Sequence, residues 1–323
     1  MSIFSLKGFN TIFEATLNNE LQDNFVEFLD WALLEKGNYF NADKGELSPR
    51  NNDYSRLELS SSPHFDAGQA WDAFRKNWVW QSGITASPAP IVGTDNTYPG
   101  VSGVYVDDVF RPTSGVGDYA HSIDYFNGRV IFDTAIPTGS KVQVEHSYKY
   151  VNVIYADNVP WLREVQYNTR DVPSIFGNTT KGEYQLPSEM RIQLPAIAVE
   201  VVPRRTYKGY QLGGGQYVYN DVLFHCIAED TYTRNALLDM VSMQNDKNIF
   251  FFDSNKIADS GAFPIDYRGV PVSGALRYPD LVSDYTGYKA RIMNFTIQGS
   301  ETINSNFYAG IARATIEVIK AKI

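Results

Sequence analysis

A single cysteine, Cys226, stands in 323 residues. It has no partner for a disulfide within the chain and no companions for a thiolate metal cage. The same scarcity suits assembly in a reducing cytoplasm. Histidine is almost as rare: His64, His121, His146 and His225 are the four copies, and no pair has the spacing of a helical zinc motif. His64 with Asp66, and His121 with Asp124, read as polar groups of turns or strand starts. No stretch reaches the roughly 18 uninterrupted apolar residues of a membrane-spanning helix. The opening "MSIFSLKGFNTIFEATL" carries one Lys and an early Glu14, a poor signal peptide. Basic charge is also short, with 28 Lys and Arg against 37 Asp and Glu and a net charge of −9. A protein that grips nucleic acid by its phosphates needs the opposite balance. The basic pair Arg204-Arg205 reads as a solvated loop.

What the chain has is aromatic surface. Its 21 Tyr and 19 Phe, within a hydrophobic fraction of 43%, are enough for sizeable cores and favour sheets or large interfaces. "NNELQDNFVEFLDWALLEK" (18–36) predicts an amphipathic helix, with Leu21, Phe25, Phe28, Leu29 and Ala32 on one face. Asn19 and Gln22 have capping-box spacing, and Gly37 is a natural stop. The other face carries Glu20, Asp23, Glu27 and Asp30. It reads as a solvated face, or more sharply as an acidic stripe awaiting a basic partner. A second helix is predicted over 67–78, from Asp66 and Gln69 at capping-box spacing and a stripe of Ala70, Trp71, Phe74 and Trp78.

Residues 82–100 are a linker or long loop, rich in Ser, Pro and Gly. Three strand patterns follow: "GVYVDDVF" (103–110), "IDYFNGRVIFD" (123–133) and "KVQVEHSYKYVNVIY" (141–155). Asn127-Gly128 predicts a two-residue type I′ hairpin turn. This antiparallel unit is too small to fold alone and needs a surface to pack on. Residues 156–194 have no sustained period and predict an irregular arm or connection. Beyond them come strands at 196–202 and 217–230, a helix at 231–245 capped by Asp230 or Thr231, and a buried strand at 249–252. Long strands at 290–300 and 306–323 close the chain. Strands run together around one embedded helix, which predicts α+β rather than an alternating parallel sheet. The domains expected are a helical region 1–86, a β-unit 101–155, the arm 156–194 and an α+β domain 195–323.

Searching for chemistry yields no site. In a strand, His225 and Cys226 face apart, so Cys226 reads as a buried small hydrophobe rather than a nucleophile. Asp107-Asp108 face apart for the same reason, whereas a glycosidase pair must converge across a cleft. "QLGGGQY" lacks the Lys-Ser/Thr and the following helix of a phosphate loop. Gly213, Gly214 and Gly215 instead predict a hairpin tip, either passive or ordered at a subunit contact. No catalytic, cofactor or metal residue is expected.

A family resemblance adds to this reading. "QLGGGQYVYNDVLFHCIAEDTYTRNALLDMVSMQNDKNIFFFD", "FPIDYRGVPVSGALRYPDLV" and "NSNFYAGIARATIEVI" resemble virion structural proteins of tailed bacteriophages, chiefly of marine and cyanobacterial phages. The unit of residues 101–155 resembles modules of phage neck, tail and baseplate subunits. The order of elements in 195–323 is similar to tail-terminator and tail-completion proteins. The resemblance implies a non-enzymatic subunit of the virion, assembled in the host cytoplasm. It would form a ring of copies, usually six-fold, at the head–tail junction beside other neck and tail proteins. Packaged DNA would pass nearby without specific binding, and no membrane is involved. A baseplate or sheath-associated subunit is the alternative within that class. A tail-borne glycan-binding or glycan-cleaving β-rich protein is the alternative outside it.

Overall fold

A computed structural model describes residues 17–47, 52–92, 100–113, 115–156, 159, 192–211, 214–254, 256–257, 276–304 and 307–320. The fold is mixed α+β and mostly strand, built around a curled β half-barrel. The described residues hold three helices: α1 (Leu17–Leu34), α2 (Thr231–Ser242) and α3 (Tyr278–Asp284).

The half-barrel is a six-stranded sheet. Its strands are β10 (Asn152–Tyr155), β11 (Ala196–Gln211), β12 (Gly214–Ala228), β13 (Asn248–Phe252), β14 (Thr286–Asn304) and β15 (Phe307–Lys320). Their order is β10-β11-β12-β15-β14-β13, antiparallel except for β10 beside β11. The sequence sets the register by period two. Ala312, Ala314, Ile316 and Val318 are buried, while the residues between them stay partly open. A slip of one residue would turn that row outward.

Helix α1 lies in the trough of the sheet. Leu21, Phe25 and Leu29 recur at i+4, and Phe25 meets Phe224 of β12 and Phe251 of β13 edge-to-face, at 5.7 and 5.8 Å between ring centroids. Two amides of α1 bond to the backbone of the sheet. Gln22 Nε2 donates to the Val199 carbonyl of β11 at 2.9 Å. Asn24 Nδ2 donates to the Phe252 carbonyl of β13 at 2.9 Å, and Asn24 Oδ1 accepts from the Phe252 N–H at 2.8 Å. Helix α2 packs on the same core through Leu237, Leu238 and Val241. Asp230 caps it, accepting from Thr233 N–H at 2.8 Å. Gly310 of β15 makes room for the helix, since a Cβ there would lie 2.7 Å from Leu238 Cδ1.

A second core joins nine short strands. These are β1 (Tyr39–Ala42), β2 (Leu57–Leu59), β3 (Ala70–Ala73), β4 (Gly103–Val106), β5 (Val109–Pro112), β6 (His121–Asp124), β7 (Arg129–Phe132), β8 (Val142–Gln143) and β9 (His146–Lys149). They form sheets β2-β3-β7-β6, β5-β4-β8 and β1-β9 around Trp71, Trp78, Trp80, Tyr125 and Phe132. Several expectations change here. The predicted helix at 67–78 is strand β3 with turns on both sides. Gly68 has φ +89° and approaches the Ile136 carbonyl too closely for any Cβ. Trp71 and Ala73 are buried with Asp72 between them facing Arg129, a strand period. Residues 42–80 therefore contribute to one core with 101–148, rather than to a helical region.

The hairpin expected at Asn127-Gly128 is a four-residue connection between Asp124 and Arg129. Only Gly128 in it has positive φ, at 64°. Buried Tyr125 pulls the chain inward, its hydroxyl accepting the Val101 N–H at 2.7 Å. Asp124 then ties Asn127 down by accepting from its backbone N–H at 3.0 Å and its Nδ2 at 2.7 Å. The two-residue turn lies elsewhere. Asp107 and Asp108 have φ of 49° and 66°, and join Val106 to Val109. The single strand expected over 103–110 is thus the hairpin β4–β5. The alternating run 141–155 is split among three sheets as β8, β9 and β10.

Candidate functional site

The acidic face of α1 is packed inward rather than solvated. Asp23, Glu27 and Asp30 fall at i, i+4 and i+7, on one side of the helix. Asp30 is buried and meets Lys149 of β9, with Oδ2 2.6 Å from Nζ. The same oxygen accepts from Gln81 Nε2 at 2.8 Å. Asp23 Oδ2 accepts from Ser254 Oγ at 3.0 Å, and Tyr155 of β10 hydrogen-bonds to the same carboxyl. Burial raises Asp23 above the ordinary carboxylate range.

Glu27 sits between these two. Burial first, then the Asp30 charge, push it up to about 7 against the pull of Lys149. Among the described residues these three carboxyls face one cation, Lys149, and a proton on Glu27 relieves their repulsion near neutrality. Tyr155 is driven well above its usual range by its own burial, then by Asp23 and Glu27. The basic partner of the acidic stripe is therefore Lys149, from the same chain. The stripe is legible in the sequence; its partner, more than a hundred residues on, is not.

This arrangement fastens α1 to β9 and β10. A cavity of about 260 Å³ lies elsewhere, between α1, β13 and α3, and none of the three carboxyls lines it. Its walls include Phe28, Trp31, Ile249, Phe250, Tyr278 and Val282. Tyr278 donates its hydroxyl to the Phe250 carbonyl at 2.7 Å, and burial raises its phenol above the usual range. Lys247 Nζ lies 5.6 Å from the Phe28 ring, and Lys289 Nζ lies 5.6 Å from the Phe250 ring. The periodicity of α1 marked Phe28 as core. Its place in the wall of a groove was not visible there.

The remaining candidates disperse. Cys226 is buried and its thiol is pushed up to about 12, so it carries almost no thiolate at neutrality. His225 is also buried, with Nε2 2.8 Å from Glu200 Oε2 on the opposite face from Cys226. His121 is buried rather than a surface group, its Nδ1 2.9 Å from the Tyr119 carbonyl. His146 is fully buried against Trp78, with ring centroids 4.1 Å apart, and burial lowers its imidazole to about 4. Among the described residues no group of three His, Cys, Asp or Glu is placed to hold a metal. Arg205 is engaged by Asn18 and by Tyr207 Oη at 3.2 Å. Gly214 and Gly215 open strand β12, and Gly213 lies outside the described residues. Asp107 and Asp108 sit in the β4–β5 turn, with Asp108 2.9 Å from Lys44.

No helix of the described residues is long and apolar enough to cross a membrane. No protein-family model matches the chain, and no curated protein matches it.

Proposed function

We propose that this chain is a non-enzymatic structural subunit of a tailed-phage virion. It forms a ring of its own copies, six-fold in the expected arrangement, at the head–tail junction. There it ends growth of the tail tube and joins the tail to the neck.

The observation that carries this reading is the shape of the sheet. Hairpins β11–β12 and β14–β15 turn at opposite ends, because β12 and β15 pair antiparallel from Gln216–Lys320 to Ala228–Tyr308. Each runs past the helices. In β11, residues 203, 204 and 206–209 are exposed, so among the described residues that stretch has little cover beyond Asn18 at Arg205. In β14, Asn294, Thr296, Ile297 and Gln298 are exposed, while Phe295 among them packs back on the core. A strand beyond its own core is an expensive way to build a monomer and a natural way to reach a neighbour. Opposed arms give unlike surfaces, which lead to rings when the rotation closes. The net charge of −9 keeps passing DNA from adhering. The resemblance of residues 195–323 to tail-terminator proteins supplies the place in the particle.

Electron cryomicroscopy of phage particles carrying this chain tests the reading. A ring at the head–tail junction is expected. Density confined to the distal tip would replace the terminator role with the baseplate one, and hydrolysis of a polysaccharide by the purified chain would replace both.

A further inference from the structure

The geometry points to a knob-and-groove contact between copies: Tyr232 of one copy seats in the aromatic groove between α1, β13 and α3 of the next. This rests on the ring reading and names the contact that would build it.

Tyr232 stands at the start of α2 and is 83% exposed, an unusual position for so large an apolar ring. Two exposed carboxyls, Glu229 and Asp230, precede it. The Asp230 side chain accepts from Thr233, which lowers its pKa and keeps it ionised. The knob is therefore aromatic with a negative collar.

The groove has the matching features. Its volume of about 260 Å³ is below the roughly 300–1,000 Å³ of small-molecule sites, and suits one large side chain. Phe250 in its wall is 53% exposed, and Trp31 is half-buried. Lys247 and Lys289 stand at the rim, over the Phe28 and Phe250 rings, and both are exposed. Of the nearby acids, Asp280 is held by Arg277 at 2.7 Å and Asp246 by Arg291 at 2.9 Å. An acid-collared tyrosine thus meets rings edged with ammonium groups.

The two features lie at opposite ends of α2. Tyr232 is in its first turn, while Lys247 and Asn248 follow its last. A 12-residue helix separates them by about 18 Å, so a molecule cannot fill its own groove. Two copies with unlike surfaces join head to tail, which is the contact a ring requires.

The test measures oligomer mass against concentration, by light scattering and native mass spectrometry. The wild-type chain is expected to form a closed oligomer. Tyr232→Ala and Phe250→Glu, both at exposed positions, should each raise the dissociation constant about tenfold or more with unchanged thermal unfolding. An equimolar mixture of the two variants should give dimers, because one retains the groove and the other the knob. Glu229→Lys and Lys289→Glu should each weaken assembly, and the double variant should restore it. A wild-type oligomer insensitive to both Tyr232→Ala and Phe250→Glu would overturn this contact and leave the ring reading standing. A wild-type chain that stays monomeric at every concentration would overturn this contact too, while the ring in the particle is decided by electron cryomicroscopy.

Discussion

Asn24 and Phe252, separated by 228 positions, are joined by two hydrogen bonds that reproduce a strand pairing. The side-chain amide donates to the Phe252 carbonyl and accepts from its N–H, as a seventh strand would. Across the sheet Gln22 donates to Val199 of β11. The curled sheet is thus held by amides of one helix at its β13 edge and at β11, one strand in from the opposite edge. An open edge is a hazard for unwanted pairing, and the two Asn24 bonds remove part of it at β13.

Replacing Asn24 by Ala should cost about 3 kcal/mol, because a buried donor and a buried acceptor both lose their partner. Gln22→Ala, which frees a single part-buried carbonyl, should cost about 1 kcal/mol. Urea unfolding of the two variants measures the difference. Equal, small losses would show that α1 is held by its apolar face alone.

Glu27 makes the fold lose stability as pH rises. Its folded pKa of about 7 lies above the ordinary 4.5, so the folded chain holds the proton more tightly. That stabilisation is complete below about 4.5 and is lost as pH rises through about 7. It amounts to about 3 kcal/mol at most for this half-buried group. Glu27→Gln should flatten the stability profile between pH 5 and 8 and raise stability at pH 8. Thermal melts across that range check it.

His146 acts in the opposite sense. Its folded pKa of about 4 lies below the ordinary 6.5, since the ring is stacked on Trp78 without room for hydration. Its contribution is complete above 6.5 and is lost as pH falls toward 4. Trp78 fluorescence should report the acid transition. His146→Leu should shift that transition to lower pH, and an unchanged midpoint would place the acid lability in another group.

Gly128 is required by its φ of 64° and by its neighbour, the Arg75 carbonyl, 2.6 Å from where a Cβ would stand. Gly128→Ala should cost about 2 kcal/mol or more, lowering the melting temperature by several degrees. Asn127→Ala should cost less, about 1 kcal/mol, by removing the tie to Asp124.

The long strands and α2 were readable because their patterns are local: period two in β12 and β15, and a cap at Asp230. Helix α1 was readable too, and Gly37 stops it with a φ of 82°. The helix already includes Leu17, so Asn19 lies inside it rather than at its cap. Around Trp71 the sequence misled, because Ala70, Trp71, Phe74 and Trp78 fall at helical spacing although each is placed for a separate reason. Trp71 faces inward from β3, Trp78 stacks on His146, and Phe74 is 67% exposed. The Asn127-Gly128 signal lost to the burial of Tyr125, a tertiary demand no dipeptide contains. The groove beside Phe28 needed α3 and β13 to be placed before it existed at all.

Fitting every copy of this chain into an electron cryomicroscopy map of the intact phage particle tests the central claim most directly. The account predicts a closed ring where tail meets head, each Tyr232 lying in its neighbour's aromatic groove. Finding the chain in no part of the particle, as a free molecule whose product appears on incubation with a substrate, would contradict it.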